Sequence, residues 1–383
     1  MEIRRIDVYA MRYTHSTGPF VLSGGRVSTG QEGTVVRLET DDGLVGWGEQ
    51  CLITPTYSEG YAPTTQAMLG LLAPALLGAD PRRVDVAYAR MDAATKGYRY
   101  AKAALDMACW DLLGRATGLP LADLLGGIHA EEFPLYTGIG IAAPEEMRQR
   151  CAEALAEGYR RIQLKVGTGV REDTTRIEAC LEVLDDAEYV IADANGWWTQ
   201  ADAARVIAGV EHLDVMIEQP CASLDECARL RNASARPFVL DESLVQLDDI
   251  VKARAAGGID AVRIKLSRFG GITPARRGRD LAVTLGLPVT VEDAGGGDLV
   301  SAATAHFAAS TPPALLLAGF LPGSMAAERI ATGTPEPNRG SASVPTAPGL
   351  GVEVNEDALS EHLLRVERRS HCGRAAVLRT VRA

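Results

Sequence analysis

The sequence predicts an α/β protein: a (β/α)8-type barrel, of the modified TIM type, preceded by an α+β capping domain. Three observations lead there. Short apolar, β-branched runs recur near 133–139, 161–166, 189–193, 214–218, 237–241, 261–265, 288–292 and 314–318. Between them lie Ala/Glu/Arg-rich segments such as 144–157 and 201–209, which read as amphipathic helices. The first third of the chain has a different rhythm, with alternating strands followed by three helical patterns. Eight strand-helix units, the last one irregular, fill a barrel of this kind, and right-handed crossovers put every strand C-terminus on one face.

Residues 1–12 and 33–52 alternate apolar and polar side chains around the hairpin turn D-D-G at 41–43, predicting a three-stranded antiparallel sheet. The Gly/Ser/Thr-rich segment 14–31 reads either as a mobile loop or as an ordinary surface hairpin. A second irregular segment, 53–60, leads into helical patterns at 62–77, 82–93 and 99–117, the last stopping before G-L-P at 118–120. The expected organisation is a capping domain over 1–128, a barrel over 129–345, and a segment over 346–383 that returns to the cap.

Composition narrows the function. Among 383 residues, 46% are hydrophobic and 23% charged, and the formal net charge is −11. That balance argues against nucleic acid or an anionic membrane as partner. No apolar run approaches the ~18 residues of a membrane helix, and the N-terminus lacks a signal-peptide core, so a cytoplasmic location is expected. The seven cysteines (51, 109, 151, 180, 221, 227 and 372) contain no C-x-x-C pair and read as buried apolar residues. Only five lysines stand beside thirty-four arginines. Arginine cannot accept a proton near neutral pH, whereas a buried lysine can be tuned to do so.

Two of those lysines fall where a base is useful. Lys165 (R-I-Q-L-K), Asp193 (I-A-D-A-N), Glu218 (M-I-E-Q-P), Asp241 (V-L-D-E-S) and Lys265 (R-I-K-L-S) each close a predicted strand, at intervals of 28, 25, 23 and 24 residues. Three carboxylates on consecutive strands cannot all stay ionised without a cation. All-oxygen ligation without Cys or His points to Mg²⁺ or Mn²⁺ in preference to zinc. The plainer reading is that such acids cap the following helices and that each lysine is a salt-bridge partner. On the metal reading, a chelated substrate carboxylate sets its α-carbon between Lys165 and Lys265, with the ion stabilising the enediolate formed on proton loss.

These motifs, with A-K-A-A-L-D-M-A-C-W-D-L-L-G at 101–114 and K-L-S-R-F-G-G at 265–271, resemble the enolase superfamily, in its mandelate racemase/muconate lactonizing subgroup. The resemblance covers almost the whole chain. It implies Asp193, Glu218 and Asp241 as Mg²⁺ ligands, Lys165 and Lys265 as acid/base catalysts, and the loops 14–31 and 53–60 as a lid that sets specificity. It also implies a homo-oligomer. The departures narrow the choice. Gln163 stands where a K-x-K motif has its first lysine, no histidine ends the seventh strand, and the eighth ends A-G-F without an acid.

Within the subgroup, Q-L-K, P-T-Y at 55–57, V-E-D at 291–293 and A-P-G-L-G-V at 347–352 are most similar to enzymes acting on proline derivatives. Gly295 departs from a tryptophan common to those enzymes. The implied substrate is a small carboxylate, a proline derivative or amino acid. Dehydration of cis-3-hydroxy-L-proline is the first expectation, and α-carbon epimerisation of a proline betaine or N-substituted amino acid the second. A non-catalytic protein that kept the fold is the third. Tyr57, Gln163, Asn195 and Asp293 are candidate substrate-binding residues, with Trp197 and Trp198 as further candidates to line the pocket.

Overall fold

The computed structural model describes residues 1–369 and 375–380, with side chains through 364. Strands β1 (Ile3–Thr14), β2 (Gly30–Thr40) and β3 (Val45–Leu52) form the antiparallel sheet that the alternation predicts. The sheet is larger than three strands. Leu363–Arg369 pairs antiparallel with the free edge of β1, and Ala375–Thr380 pairs outside it, making five. Local alternation shows that a strand exists, but its partner is chosen by non-local geometry.

Helices α1 (Ala62–Leu76), α2 (Val84–Ala94) and α3 (Arg99–Thr117) complete the cap. Helix α3 is buried on nearly every side because it lies between the cap sheet and the barrel. On the sheet side it sits directly on β3: a Cβ at Gly48 would stand 2.0 Å from the Ala104 carbonyl. On the barrel side, Trp110 Nε1 donates to Thr273 Oγ1 at 2.9 Å, and Asp106 accepts from the Thr273 amide at 2.8 Å and its hydroxyl at 2.6 Å.

The barrel strands are β4 (Thr137–Ile139), β5 (Arg161–Lys165), β6 (Tyr189–Asp193), β7 (Met216–Glu218), β8 (Phe238–Leu240), β9 (Ala261–Lys265), β10 (Val289–Glu292) and β11 (Leu316–Gly319). Each lies within the run read from the sequence or one residue beyond it. They form a single parallel sheet in chain order that curls until its edges meet at a bridge between Leu135 and Gly319. The last unit is irregular, with a 3-10 turn (Pro322–Met325) in place of a helix. Inside the barrel, Ile191, Val239 and Ala261 form a small apolar plug, separate from the main core between strands and helices. Above the plug, inward positions at the strand ends carry the polar residues.

Cap and barrel are tied by buried hydrogen bonds. Glu49 on β3 accepts from the amides of Gly297 (2.9 Å) and Val300 (3.1 Å), capping the barrel helix Asp298–Ala309 from the other domain. His306 in that helix accepts from the Ala122 amide at 3.2 Å through Nδ1 and pairs with the Leu350 carbonyl at 3.0 Å through Nε2. Among the described residues, no helix is long and apolar enough to cross a membrane. Six cysteines are free and buried; Cys372 lies outside the described residues.

Burial holds the His306 imidazole down at about 4, against an ordinary 6.5. The unfolded chain therefore binds a proton that the fold refuses. The stability contribution is complete above pH 6.5 and declines toward pH 4 by roughly 3 kcal/mol. Urea denaturation of the wild type and of His306→Gln between pH 7 and 4.5 isolates this contribution: the stability of the wild type relative to the variant should fall as the pH is lowered.

Candidate active site

Strand register brings the five residues together. Lys165 pairs with Asp193 across β5 and β6, Asp193 with Glu218 across β6 and β7, and Lys265 with Glu292 across β9 and β10. Asp241 immediately follows β8. Asp193, Glu218 and Asp241 are fully buried, and both lysines are nearly so. None of the three acids caps a helix; the following helices use Thr199, Ser223 and Gln246. The helix-cap reading of these residues is thereby set aside.

Each acid faces a cation. Lys165 Nζ is hydrogen-bonded to Asp193 Oδ2. Lys265 Nζ donates to Asp241 Oδ2 at 2.8 Å and lies 3.2 Å from Glu292 Oε1. Arg268 grips the other oxygen of Asp241. Glu218 Oε2 accepts from Gln163 at 2.9 Å and from Arg263 at 2.6 Å. Arg263 reaches on to Glu292 at 3.1 Å, beneath the ring of Tyr136, whose hydroxyl donates to the same Glu292.

The electrostatics follow from this crowding. Burial, and then the charges of Asp193 and Asp241, push the Glu218 carboxyl up to about 8 against the pull of Arg263. Burial opposes the charged form of Asp241 too, but Arg268, Lys265 and Arg263 outweigh it and hold that carboxyl far below the ordinary range. For Lys265, burial is outweighed by Asp241 and Glu292, which raise its pKa.

Paired off in this way, no three His, Cys, Asp or Glu side chains among the described residues surround one point. Two observations nevertheless fit the acids to a divalent cation. Glu218 Oε1 is buried without a hydrogen-bond partner, as is Glu242 Oε2, whereas buried polar atoms are normally satisfied. The cluster also contains six carboxyls (Asp193, Glu218, Asp241, Glu242, Glu292, Asp293) against four cationic side chains (Lys165, Arg263, Lys265, Arg268), two more acids than bases, and the crowding that raises the Glu218 carboxyl is what a bound cation would relieve.

A cavity of about 450 Å³ opens beside the acids, and Lys165, Lys265, Gln163, Tyr57 and Asp293 all line it. Tyr136 and Phe320 form an aromatic wall, their rings 5.1 Å apart and nearly parallel at 27°. The candidate substrate-binding residues divide. Tyr57, from the 53–60 loop, stands over Lys265 and donates to Asp241 at 3.0 Å. Gln163 faces the cavity while bonded to Glu218. The Asp293 carboxylate is spent on the Ser267 amide and hydroxyl and the Ala294 amide, and burial lifts it to about 6. Asn195 is not among the residues lining the cavity; it lies under the hairpin, its amide bonded to Asp193 and to Glu242, each at 2.9 Å.

Neither tryptophan is among the residues lining the cavity. Trp198 is buried and donates to Asp173 at 2.9 Å; Trp197 is half exposed beneath Arg26. The 14–31 segment is the hairpin of its two readings: Phe20–Leu22 pairs with Arg26–Ser28. It folds down over the barrel mouth, where Phe20 and Leu22 roof the cavity. Arg263, Arg268, Tyr136, Glu242 and Glu292 were not singled out from the sequence. Arg263 had a signal, since it lies two residues before Lys265 and alternation points both inward.

A capping domain over a (β/α)8-type barrel, with acids and lysines at the strand C-termini, defines an enolase-type enzyme. Residues 5–126 match the mandelate racemase/muconate lactonizing enzyme N-terminal domain, and 146–358 match the enolase C-terminal domain-like family. The chain is 40% identical to a cis-3-hydroxy-L-proline dehydratase of Roseibium aggregatum, over 95% of this chain and 100% of that protein. It is 33% identical to an N-succinyl-L-Arg/Lys racemase of Bacillus cereus, over 94% and 98%. A solved enolase-superfamily structure from Roseovarius nubinhibens, complexed with magnesium, aligns with a TM-score of 0.90 at 38% identity, covering 96% and 99%. The chain belongs to the enolase superfamily and is an enzyme of it.

Removing the buried guanidinium at 263 leaves Glu218 and Glu292 without their shared partner. Arg263→Met should lower unfolding stability by about 3–5 kcal/mol in urea denaturation.

Proposed function

We propose that the enzyme removes the α-proton of a proline-type carboxylate with the help of Mg²⁺, and that it dehydrates cis-3-hydroxy-L-proline. The observation that carries this reading is the pair Lys165 and Lys265, which enter one cavity from strands on either side of the three acids. The similarity to the Roseibium aggregatum dehydratase supports the substrate. A divalent cation held by Asp193, Glu218 and Asp241, Mg²⁺ or Mn²⁺, supplies a Lewis acid that makes the hydrogen beside a carboxylate more acidic.

The two lysines do the proton work. In cis-3-hydroxy-L-proline the hydroxyl lies on the carboxylate face of the ring, opposite the α-hydrogen. Elimination therefore requires a base on one face and an acid on the other. One lysine takes the α-proton at Nζ; the other gives a proton to the departing hydroxide, which leaves as water. The enamine product tautomerises to the cyclic imine. Tyr57 and the hairpin residues Phe20 and Leu22 line the cavity and shield part of it from water.

A second reading is favoured by the aromatic wall of Tyr136 and Phe320, which suits a substrate with a cationic or bulky nitrogen substituent. There the same lysines would exchange the α-proton from opposite faces, giving an epimerase.

Incubation with cis-3-hydroxy-L-proline and Mg²⁺ in D₂O separates the readings. Dehydration yields an imine that condenses with 2-aminobenzaldehyde to a coloured adduct. Epimerisation of a betaine or N-substituted amino acid yields both stereoisomers carrying α-deuterium, and no adduct. Neither product across a proline and amino-acid panel would sink both. Lys165→Arg keeps the charge and should lower turnover at least ~100-fold. EDTA should abolish turnover and added Mg²⁺ restore it.

A further inference from the structure

The hairpin over the cavity reaches the candidate cation site itself. Ser23, at its turn, is fully buried. Its hydroxyl is shared between Asn195 Oδ1 at 2.9 Å and the main-chain carbonyl of Asp193 at 3.2 Å. With Oδ1 engaged by Ser23, the Asn195 amide nitrogen faces Asp193 Oδ2 and Glu242 Oε1, and its backbone amide donates to Asp193 Oδ1 at 2.8 Å. Asn195 has φ +45°, in the left-handed region that Asn tolerates, so this turn is a compact cradle for the Asp193 carboxylate. A residue of the cap thus closes a hydrogen-bond chain onto a carboxylate at the end of β6.

The hairpin is seated around that link. The Gly24 amide donates to the Gly167 carbonyl at 3.0 Å, in the loop after β5. Gly24 lies flat on the Trp197 indole, where a Cβ would stand 2.3 Å from the ring, and its φ is +72°. Arg26 stacks 5.1 Å from the same indole while donating to the carbonyls of Ser23 and Thr56, both at 2.8 Å. It therefore ties the hairpin to the second lid loop. These contacts give a use to the half-exposed Trp197: it is the platform on which the hairpin rests.

We propose that Ser23 is a positioning residue through which docking of the hairpin and orientation of Asp193 become one event, so that the enzyme grips its divalent cation tightly only with the hairpin down. This rests on Asp193 being a cation ligand, as proposed above. Coupling between two sites is reciprocal: if the docked hairpin favours the cation, the cation favours the docked hairpin by the same factor. Groups that orient a ligand typically carry about 10–100-fold of metal affinity when lost.

The test is Mg²⁺ titration calorimetry together with amide hydrogen exchange of residues 20–28, on the full chain without substrate. In the wild type, Mg²⁺ should bind and slow exchange across the hairpin. Ser23→Ala should weaken Mg²⁺ binding about tenfold and remove most of that slowing, while still melting in one cooperative transition in EDTA, which shows the fold retained. Gly24→Ala, whose new methyl group strikes the Trp197 ring and strains the turn at φ +72°, should weaken Mg²⁺ binding in the same direction. If the wild type binds Mg²⁺ but Ser23→Ala binds equally well, or the hairpin exchanges at one rate with and without the ion, the coupling is refuted and the function stands. If the wild type binds no Mg²⁺, the ligand assignment fails and takes the coupling with it.

Discussion

Ten ionisable side chains, six acidic and four basic, crowd the C-terminal rim of the barrel, nine of them buried and Glu242 partly so. An isolated charge there would cost several kcal/mol, so each must find a partner of opposite sign. Register and alternation supply most pairs, Lys165 with Asp193, Lys265 with Asp241 and Glu292, Arg263 with Glu218 and Glu292, and the short helix after β9 adds Arg268 with Asp241. The set does not balance. Two more acids than bases remain, and two buried carboxyl oxygens stand without partners. Strand ends that hold such an excess are suited to a divalent cation, and this links the architecture to the chemistry of the superfamily.

The same constraint explains why the barrel is capped. A rim this charged must be kept from bulk water if its fields are to act on a substrate, since a low-dielectric surrounding strengthens every pair. The cap meets that need at several points. Tyr57 lies over Lys265, the hairpin lies over β5 and β6, and Glu49 anchors the segment after β10. Helix α3 is buried on nearly all sides because it is the layer between the two domains. Fold and site are therefore not separable here: the contacts that hold the domains together also shape the cavity.

Much of this was legible in the residues. Short apolar runs separated by amphipathic helices located all eight barrel strands, because burial of a parallel strand demands such a run wherever the chain passes through the core. Lys165, Asp193, Glu218, Asp241 and Lys265 stood out because ionisable residues rarely close such runs. Arg268 and Tyr136 did not, since each reaches the site through its side chain from a helix or a strand edge that looks ordinary in one dimension. Trp197 and Trp198, pocket candidates by sequence, serve elsewhere: Trp198 donates to Asp173 and Trp197 supports the hairpin.

The sequence by itself determined the order and type of the elements and which side chains end up at the barrel mouth, because those depend on local periodicity and on the fixed handedness of strand-helix-strand connections. Only the tertiary structure decided who pairs with whom. The C-terminal strand beside β1, the hairpin folded over Asn195 and the guanidinium shared by Glu218 and Glu292 all join residues far apart in the chain. Such partnerships are set by the distance and direction of side chains after the barrel has closed, and no local pattern encodes them.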